Sequence, residues 1–437
     1  MSMTFARLLD PAFEDDHDPF RHYDPAGEPL EDRLYLPCGI DPHSKVCGVA
    51  FVHPLPHRQD VLVEREIRNN SLEDVAWLIG TGQRLAPQFQ AHPIYVFEAT
   101  GPFWKPYRNF LHQVGLATAT ICGRQSRHAR GTGTRKTKHD LKDAYLIAKV
   151  FKQGESHATR IPPEPLASLR EYTRQHLFFV EYSVAIQNRM YNLRYQLHPD
   201  FDAHFSQPLL PTTLALMREE LVYPEHLKAY PLDALTQLIR QASHGKLGAG
   251  LAQALVHSAQ RTFSAPTAGE ALSFNLKMLA QAYEHIHQAV LPPIRQRIEE
   301  GLRQLPFEHH LDEIPYFGPI VIGTFLSELG WPAWFRSVDS VVAWFGFDPS
   351  VSLSAGKPSG TTHLTKRGTK YGRRIMWLAA RNWAEYTSEG RALVRKVRQQ
   401  NELSYDGAIC VLAAKLVRIA FAMVRDGSHF DMRRAFP

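Results

Sequence analysis

Four carboxylates occupy positions from which they could act together. Asp41 ends one short apolar run and Glu98 ends another, while Asp140 and Asp143 have the i, i+3 spacing that puts both on one helix face. Each acid alone could be a surface residue, and Asp140 could simply cap its helix. Grouped, the four would repel one another unless cations neutralised them, and oxygen-rich clusters suit Mg²⁺ or Mn²⁺. Two such ions, roughly 3.5–4 Å apart, would activate an attacking oxygen and stabilise a leaving oxygen in phosphodiester transfer.

A second candidate chemistry lies in the loop SLSAGKPSG, residues 352–360. A serine hydroxyl among glycines and cations could attack a phosphodiester, and nearby Lys and Arg side chains would stabilise the charge that develops. The glycines would let the backbone approach phosphates closely. The alternative is a basic loop that only clamps the DNA backbone. The candidate nucleophiles in this loop are Ser352, Ser354 and Ser359.

The charge distribution favours a polyphosphate partner. The 437 residues carry 50 Lys and Arg against 44 Asp and Glu, a formal net charge of +6. Residues 1–34 hold nine acids and three arginines, so the rest of the chain carries +12. The excess lies in two windows without acids, 99–139 and 349–384, and clustered cations bind phosphates by releasing counterions. The alternative is a solvated basic face. The predicted nucleic-acid-binding residues are Arg124, Arg127, Arg130, Arg135, Lys136, Lys138, Lys357, Lys366, Arg367, Lys370, Arg373 and Arg374.

The elements that must position the acids follow from hydrophobic periodicity. Three consecutive strands are predicted as an antiparallel meander at 35–41, 45–53 and 61–67. A helix with a capping-box-like start at Ser71 and Asp74 follows them. The remaining predicted elements are a strand at 94–99, a helix at 103–114, a strand at 116–122 and a helix from His139 to a glycine stop at Gly154. This βββ-α-β-α-β-α order is typical of ribonuclease-H-like (RuvC-like) domains.

The remainder of the chain reads as helical. Apolar residues recur at three and four spacing between Pro165 and Leu305, which predicts a helical or coiled-coil arm. Residues 314–330 are predicted as helix, tight glycine turn and helix, followed by a long helix from about 373 to 397 and a last one near 405–424. We divide the chain into an acidic N-terminal arm (1–33), a catalytic domain (34–155), the helical arm (156–308) and a C-terminal domain (309–437).

Composition excludes several classes of protein. The N-terminal stretch is acidic and lacks a long apolar core, so we expect no secretory signal, and no membrane span is predicted. Cys38, Cys47, Cys122 and Cys410 form no CxxC pair, which favours a reducing cytoplasm and argues against a cysteine zinc site. His309 and His310 have no Cys or His partner at zinc spacing.

Six segments resemble one known family, the DEDD transposases of insertion-sequence family 110, which include pilin-gene invertases. CGIDPHSKVCGVA (38–50), VFEATGPFWKPYRNFL (96–111) and KTKHDLKDAYLIAKV (136–150) resemble its three acidic motifs, and Asp41, Glu98, Asp140 and Asp143 match them position by position. Three further segments resemble the second domain of the family: IPYFGPIVIGTFLSELG (314–330), AWFGFDPS (343–350) and HLTKRGTKYGRR (363–374). The first of these corresponds to a helix-hairpin-helix-like start.

The resemblance implies a specific activity. Ser354 aligns best with the family's serine beside glycine, although Ala355 replaces the first glycine, and Ser352 and Ser359 remain alternatives. The family implies DNA strand cleavage and exchange, with Mg²⁺ at the acids and a covalent phosphoserine link to DNA. It also implies a structured noncoding guide RNA from the element, which pairs with donor and target DNA. A dimer or tetramer with composite active sites is implied as well.

Two other functions fit the residues alone. A two-metal DNA nuclease or Holliday-junction resolvase would use the same acids without serine chemistry. A nucleic-acid-binding protein without catalysis would use only the basic windows. Loss of cleavage in Asp41→Ala and loss of a covalent adduct in Ser354→Ala would separate these hypotheses.

Overall fold

A computed structural model describes residues 3–4, 34–69, 71–121, 123, 140–154, 157–158, 162, 164–264, 266–335, 337–350, 353–354, 357–358, 363–366 and 368–436. The described chain forms two compact units. The sheet unit is Leu9–Ile161 with Trp331–Ser337, and the helical unit is Met1–Leu8, Pro162–Gly330 and Val338–Pro437. The four-part division of the chain stays a prediction, and the predicted acidic arm lies outside the described residues except for Met3–Thr4.

The sheet unit contains one six-stranded mixed sheet. The strands are β1 Tyr35–Pro42, β2 Val46–Val52, β3 Val61–Arg68, β4 His92–Glu98, β5 Ala117–Ile121 and β6 His157–Ala158. Their order in the sheet is β3-β2-β1-β4-β5-β6. Strand β2 is antiparallel to β1 and β3, β4 is parallel to β1 and β5, and β6 is antiparallel to β5. This is a ribonuclease-H-like sheet, as the element order predicted. The helices are α1 Leu72–Leu85, α2 Trp104–Gln113 and α3 Asp140–Lys152.

The two faces of the sheet bury different residues, because side chains alternate along a strand. Leu36, Cys38 and Ile40 of β1 pack in one cluster with residues of α1 and α2. Ile94 and Val96 of β4 pack in a second cluster with residues of α3. The sheet is therefore covered on both sides, and α3 lies on the face opposite α1 and α2.

Two glycines let α3 lie directly on the sheet. A Cβ at Gly39 in β1 would come 1.9 Å from the carbonyl oxygen of Ala144, and one at Gly48 in β2 would come 2.5 Å from the carbonyl oxygen of Asp140. Separations under about 3 Å are not found for real Cβ atoms. Only glycine permits this approach, so Gly39 and Gly48 set the height of α3 above the strands.

The predicted capping box is half formed. Ser71 caps α1, because its hydroxyl accepts a hydrogen bond from the Asp74 N–H. The Asp74 carboxylate does not return to Ser71, as a capping box requires. It accepts instead from the backbone N–H and the Nε of Arg68, and so ties α1 to the end of β3.

The helical unit begins with a 32-residue helix, α4, and packs shorter helices around it. Prolines start three of these, because Pro211, Pro224 and Pro319 stand at first helical positions where no N–H bond is lost. A five-residue π-helical turn, Ile286–Val290, joins α9 to α10. The helices are α4 Leu166–Leu197, α5 Pro211–Arg218, α6 Pro224–Ala229, α7 Leu232–Ala242, α8 Ala249–Arg261, α9 Gly269–His285, α10 Leu291–Arg303, α11 Pro319–Leu329, α12 Val338–Trp344, α13 Lys370–Tyr386, α14 Ser388–Asn401, α15 Tyr405–Asp426 and α16 Met432–Ala435.

Two helix predictions in the C-terminal region are wrong in detail. Residues 314–330, all described, contain the single helix α11, preceded by a 3₁₀ turn at Leu311–Glu313. Tyr316, with φ +67°, and Pro315 prevent a first helix there. The predicted long helix from 373 to 397 is two helices, because Thr387 is extended and its hydroxyl accepts from the Gly390 N–H to cap α14.

The last long helix, α15, is the predicted one near 405–424. By length and composition it could cross a membrane, with a mean hydropathy of 2.0, and it is the one described helix that passes this test. Its apolar window is 56% buried inside the unit, and core helices pass the same test. The predicted absence of a membrane span stays a prediction.

Candidate metal centre

Strand ends and side-chain alternation bring Asp41 and Glu98 to the same place. β1 and β4 are parallel neighbours with Ile40 opposite Phe97, so the next residues along the two strands are Asp41 and Glu98. Alternation puts both on the face that carries α3, since Val96 of β4 packs there. Each side chain is partly exposed at the sheet edge, where substrate could reach it.

Helix α3 supplies the other two acids in its first turn. Asp140 is the first residue of α3 and is partly exposed, whereas Asp143 is buried. The close approach of α3 at Gly48 holds the Asp140 backbone directly over β2. The sheet and the helix thus converge on one acidic cluster, formed by Asp41, Glu98, Asp140 and Asp143.

His43 joins this cluster, and sequence reasoning missed it. Its Nε2 lies 3.3 Å from Oδ2 of Asp41 and 3.5 Å from Oδ1 of Asp140. The residue sits in the turn between β1 and β2, where its N–H donates to the Val46 carbonyl and its carbonyl accepts from the Asn69 amide. A histidine in a polar turn has no periodicity to identify it. The one available signal is its position two residues after Asp41.

The neighbouring carboxylates repel negative charge on Asp41. Burial raises the pKa of this carboxyl, the charge of His43 lowers it, and the charges of Asp143, Glu98 and Asp140 raise it again, so that the pKa is raised overall. All three other acids therefore act on Asp41 through space. Such a cluster disfavours its own ionisation unless a cation is bound.

The donor set fits a divalent cation. One ligand atom each from Asp41, His43 and Asp140 lies within 4.8 Å of the other two. His43 Nε2 is buried without a hydrogen-bond partner among the described residues, although it faces two carboxylates. Carboxylate oxygens suit Mg²⁺ or Mn²⁺, and a single imidazole is compatible with Mn²⁺. Burial raises the pKa of the Cys47 thiol to about 12.

The serine loop belongs to the helical unit, and only parts of its backbone are described. Leu353–Ser354 pairs antiparallel with Lys357–Pro358, and Pro349–Ser350 pairs with His363–Leu364. The backbone of the predicted nucleophile Ser354 thus pairs with that of Lys357. Its alternatives, Ser352 and Ser359, lie outside the described residues.

The predicted basic residues are described in part. Lys366 is exposed, with φ +53°, and its carbonyl accepts a hydrogen bond from Nη1 of Arg373 at 3.0 Å. Lys370 is exposed at the start of α13, with its ammonium over the ring of Tyr371, whereas Arg374 forms an ion pair with Glu181. The predicted residues that lie outside the described part are Arg124, Arg127, Arg130, Arg135, Lys136, Lys138 and Arg367, and the side chain of Lys357 lies outside it too.

The N-cap of α13 fixes the end of the serine loop. Thr369 Oγ1 accepts from the Gly372 N–H and donates to Oε2 of Glu328 at 2.7 Å. Glu328 is fully buried in α11 and is bound by Arg170 and Arg174 of α4. The basic first turn of α13 therefore stands on a buried ion-pair network.

Two protein-family models match the sequence of this chain. Residues 38–199 match the DEDD-type transposase model of IS110 elements, and residues 308–395 match the model described as transposase IS116/IS110/IS902 family. Together the two matches span more than half of the chain. No curated protein matches the chain significantly. Among solved structures, T. thermophilus RuvC in complex with a Holliday junction substrate aligns at 15% identity over 28% of this chain and 98% of that chain, with a TM-score of 0.21.

Proposed function

Because the chain belongs to the IS110 family of transposases, we propose that it cuts and rejoins the DNA strands of a mobile element, using the acidic cluster together with a serine nucleophile. The observation that carries this proposal is the convergence of Asp41, Glu98, Asp140 and Asp143 at one edge of a ribonuclease-H-like sheet. The four acids come from three separate elements, which a set of unrelated surface acids would not explain.

The acids would hold Mg²⁺ or Mn²⁺, two ions per site. The chemistry that bound cations supply is neutralisation of charge on the phosphate and on the leaving oxygen. Asp41 and Asp140 would be the main ligands, with Glu98 and Asp143 completing the oxygen set. The ring of His43 stands against Asp41 and Asp140 and would restrict their rotation, so that the two carboxylates keep a shared orientation.

Ser354 would supply the nucleophile. Its Oγ would form a bond to the phosphorus as a P–O bond of the DNA backbone breaks, and the hydroxyl proton would leave with the displaced oxygen or to solvent. Support comes from the resemblance of the surrounding motifs and from the pairing of the Ser354 backbone with Lys357, a residue of the second basic window. Ser352 and Ser359 are the alternatives.

The partners follow from charge and family. Double-stranded DNA at the element ends and the target would contact the basic residues of both windows. Lys366 and Lys370 are exposed, so phosphates could reach them. A structured guide RNA would select the sites. A homodimer or tetramer would join the acids of one subunit to the serine of another, in the bacterial cytoplasm.

The acidic cluster is tested by Asp41→Ala. We expect loss of strand cleavage by about a thousandfold or more, because the cation site loses a central ligand. Asp60→Ala is the matched control, since Asp60 is an exposed acid of the same unit paired with Arg58, and it should cleave normally. Full cleavage by Asp41→Ala would refute the proposed metal centre.

The serine is tested by trapping covalent protein–DNA adducts. The native chain should form an adduct that resists denaturation, and Ser354→Ala should not form it. An adduct that persists in Ser354→Ala would move the role to Ser352 or Ser359. If the native protein cleaves DNA without any adduct, a two-metal nuclease or resolvase mechanism replaces the serine mechanism.

A further inference from the structure

A second group of metal-binding side chains lies in the helical unit, at its C-terminal segment. One ring nitrogen of His310, one of His429 and one carboxylate oxygen of Glu313 lie within 4.8 Å of one another. His310 precedes the 3₁₀ turn Leu311–Glu313, Glu313 is its last residue, and His429 follows the end of α15. His429 is 119 positions away from His310 along the chain, which is why local spacing gave His310 no partner.

We propose that His310, Glu313 and His429 form a transition-metal site, for Zn²⁺ or an ion of similar preference, that fastens the C-terminal segment to the start of the family's second domain. Two imidazoles and one carboxylate are a donor set that selects Zn²⁺, Co²⁺ or Ni²⁺ over Mg²⁺. This site differs in chemistry from the acidic cluster, whose four proposed ligands are carboxylates.

The distances between the candidate ligand atoms lie on either side of the distance expected between two ligands of one zinc ion. His429 Nδ1 lies 2.7 Å from Oε1 of Glu313, and His310 Nδ1 lies 3.8 Å from the same oxygen. Ligand atoms around tetrahedral zinc stand about 3.3 Å apart, given bonds of about 2.0–2.1 Å. The two rings are tilted by 38° with centroids 4.0 Å apart. A small rotation of His429, whose side chain is 72% exposed, would equalise the distances.

The neighbours of the three ligands orient them. The second oxygen of Glu313 accepts from the Phe430 N–H at 2.9 Å, which leaves Oε1 directed at the two rings. Nε2 of His310, the nitrogen turned away from Glu313, lies 3.7 Å from Oε2 of Glu308. At this distance the contact is electrostatic and not a hydrogen bond, and a carboxylate behind a ligating imidazole raises the basicity of the ring.

The segment that this site would hold also packs on Trp383. The rings of Phe436 and Trp383 stack at 5.1 Å, and Phe430 meets Trp383 edge-on at 6.3 Å. The indole N–H of Trp383 donates to the Pro315 carbonyl, close to the 3₁₀ turn. A metal ion would therefore add a cross-link where the C-terminal segment and the turn already meet.

The competing explanation is an ion pair between protonated His429 and Glu313, which needs no metal. Burial is limited there, and His429 and Phe430 both lower the pKa of Glu313 through hydrogen bonds. An ion pair of this kind gives no Zn²⁺ affinity above that of ordinary surface histidines, so metal titration separates the two explanations.

The test is Zn²⁺ titration of the untagged full-length chain by calorimetry, repeated with Co²⁺ by absorption spectroscopy. It is run on the Asp41→Asn, Asp140→Asn double variant, so that binding at the acidic cluster does not contribute. We expect one Zn²⁺ per chain, and at least a tenfold loss of affinity, about 1.4 kcal/mol, in His429→Ala and in Glu313→Gln. His112→Ala, which removes an exposed histidine of α2, should bind as before.

A second measurement guards against variants that misfold. Zn²⁺ should raise the melting temperature of the chain and should not raise that of His429→Ala. Equal Zn²⁺ affinity in His429→Ala and its parent, or no Zn²⁺ binding by the parent, would overturn the proposal. Both results are independent of DNA cleavage, so they leave the proposed function of the acidic cluster untouched.

Discussion

Asp41 is a partly exposed acid and Glu328 a fully buried one, and the charges around them are opposite. Glu328 has no exposed side-chain surface and binds Arg174 Nε at 2.6 Å, Arg170 Nη2 at 3.3 Å and the Thr369 hydroxyl at 2.7 Å. The ion pairs that the described residues give Asp41 and Asp140 are both with His43. Burial raises the pKa of Glu328, but the hydrogen bonds and charges of the two arginines outweigh it and lower the pKa overall. The pKa of Asp41 is raised.

This contrast separates a structural acid from a site acid. A buried carboxylate with two guanidinium partners is already neutralised, so it stabilises the packing of α4, α11 and α13. In a cluster of carboxylates, the negative charge can exceed the positive charge of the protein groups around it. The remaining negative charge must then be neutralised by a bound ligand. The acidic cluster has this property, and a divalent cation is the simplest ligand for it.

The largest expected effect follows from removing Glu328. Glu328→Ala leaves two arginines facing each other without their carboxylate, and we expect a loss of about 3 kcal/mol in the free energy of unfolding. Chemical denaturation monitored by circular dichroism measures it. Glu171→Ala is the control, because Glu171 is exposed on α4 near the same arginines and should change stability by less than about 1 kcal/mol. Equal losses of unfolding free energy in the two variants would show that Glu328 stabilises the fold no more than an exposed acid does.

An intermediate effect should follow from Gly48→Ala. The added methyl group would stand 2.5 Å from the Asp140 carbonyl, so α3 must move away from β2, at a cost of about 1–3 kcal/mol. Because Asp140 moves with it, Mg²⁺-dependent cleavage should fall as well. Gly80→Ala is the matched control, since nothing lies within 4 Å of the added methyl in α1 and alanine favours the helix. Normal cleavage by Gly48→Ala would show that the height of α3 does not matter.

The smallest effect is a pH dependence. A carboxyl whose folded pKa is lowered contributes stability above its unfolded pKa of about 4.3 and loses it as the pH falls through the folded value. The stability gap between the native chain and Glu328→Gln should therefore be constant from pH 8 to about pH 5 and shrink below that. Urea midpoints at each pH measure the gap. A gap that stays constant or widens towards pH 3 would contradict the assignment.

Local pattern was enough to predict strands β1 to β5, helices α1 to α3 and the positions of the four acids on them, but not the two-residue strand β6. The strands alternate or form short apolar runs, the acids stand at element ends, and i, i+3 spacing joins Asp140 to Asp143, so each inference needed only neighbouring residues. Parallel pairing of β1 with β4 then follows from the element order. The roles of Asp41, Glu98, Asp140, Asp143 and Ser354 in catalysis stay predictions.

Long-range pairing and local backbone detail were not predictable in the same way. Glu328 meets Arg174 across 154 positions, and nothing in α11 itself indicates that its one acid is buried. His43 contacts Asp140 only when α3 packs over β1 and β2, so its position in the sequence does not identify it. The break between α13 and α14 depends on the extended Thr387. Threonine is a preferred N-cap residue but also occurs within helices, so its type alone does not locate the break.

Cation binding by the acidic cluster is measured most directly with Mn²⁺ and electron paramagnetic resonance. The signal of free Mn²⁺ reports how much metal the chain has taken up. We expect the native chain and Glu328→Gln to bind Mn²⁺ alike, and the Asp41→Asn, Asp140→Asn double variant to bind it at least tenfold more weakly. Equal Mn²⁺ binding by the double variant and the native chain would show that the acidic cluster is not a cation site.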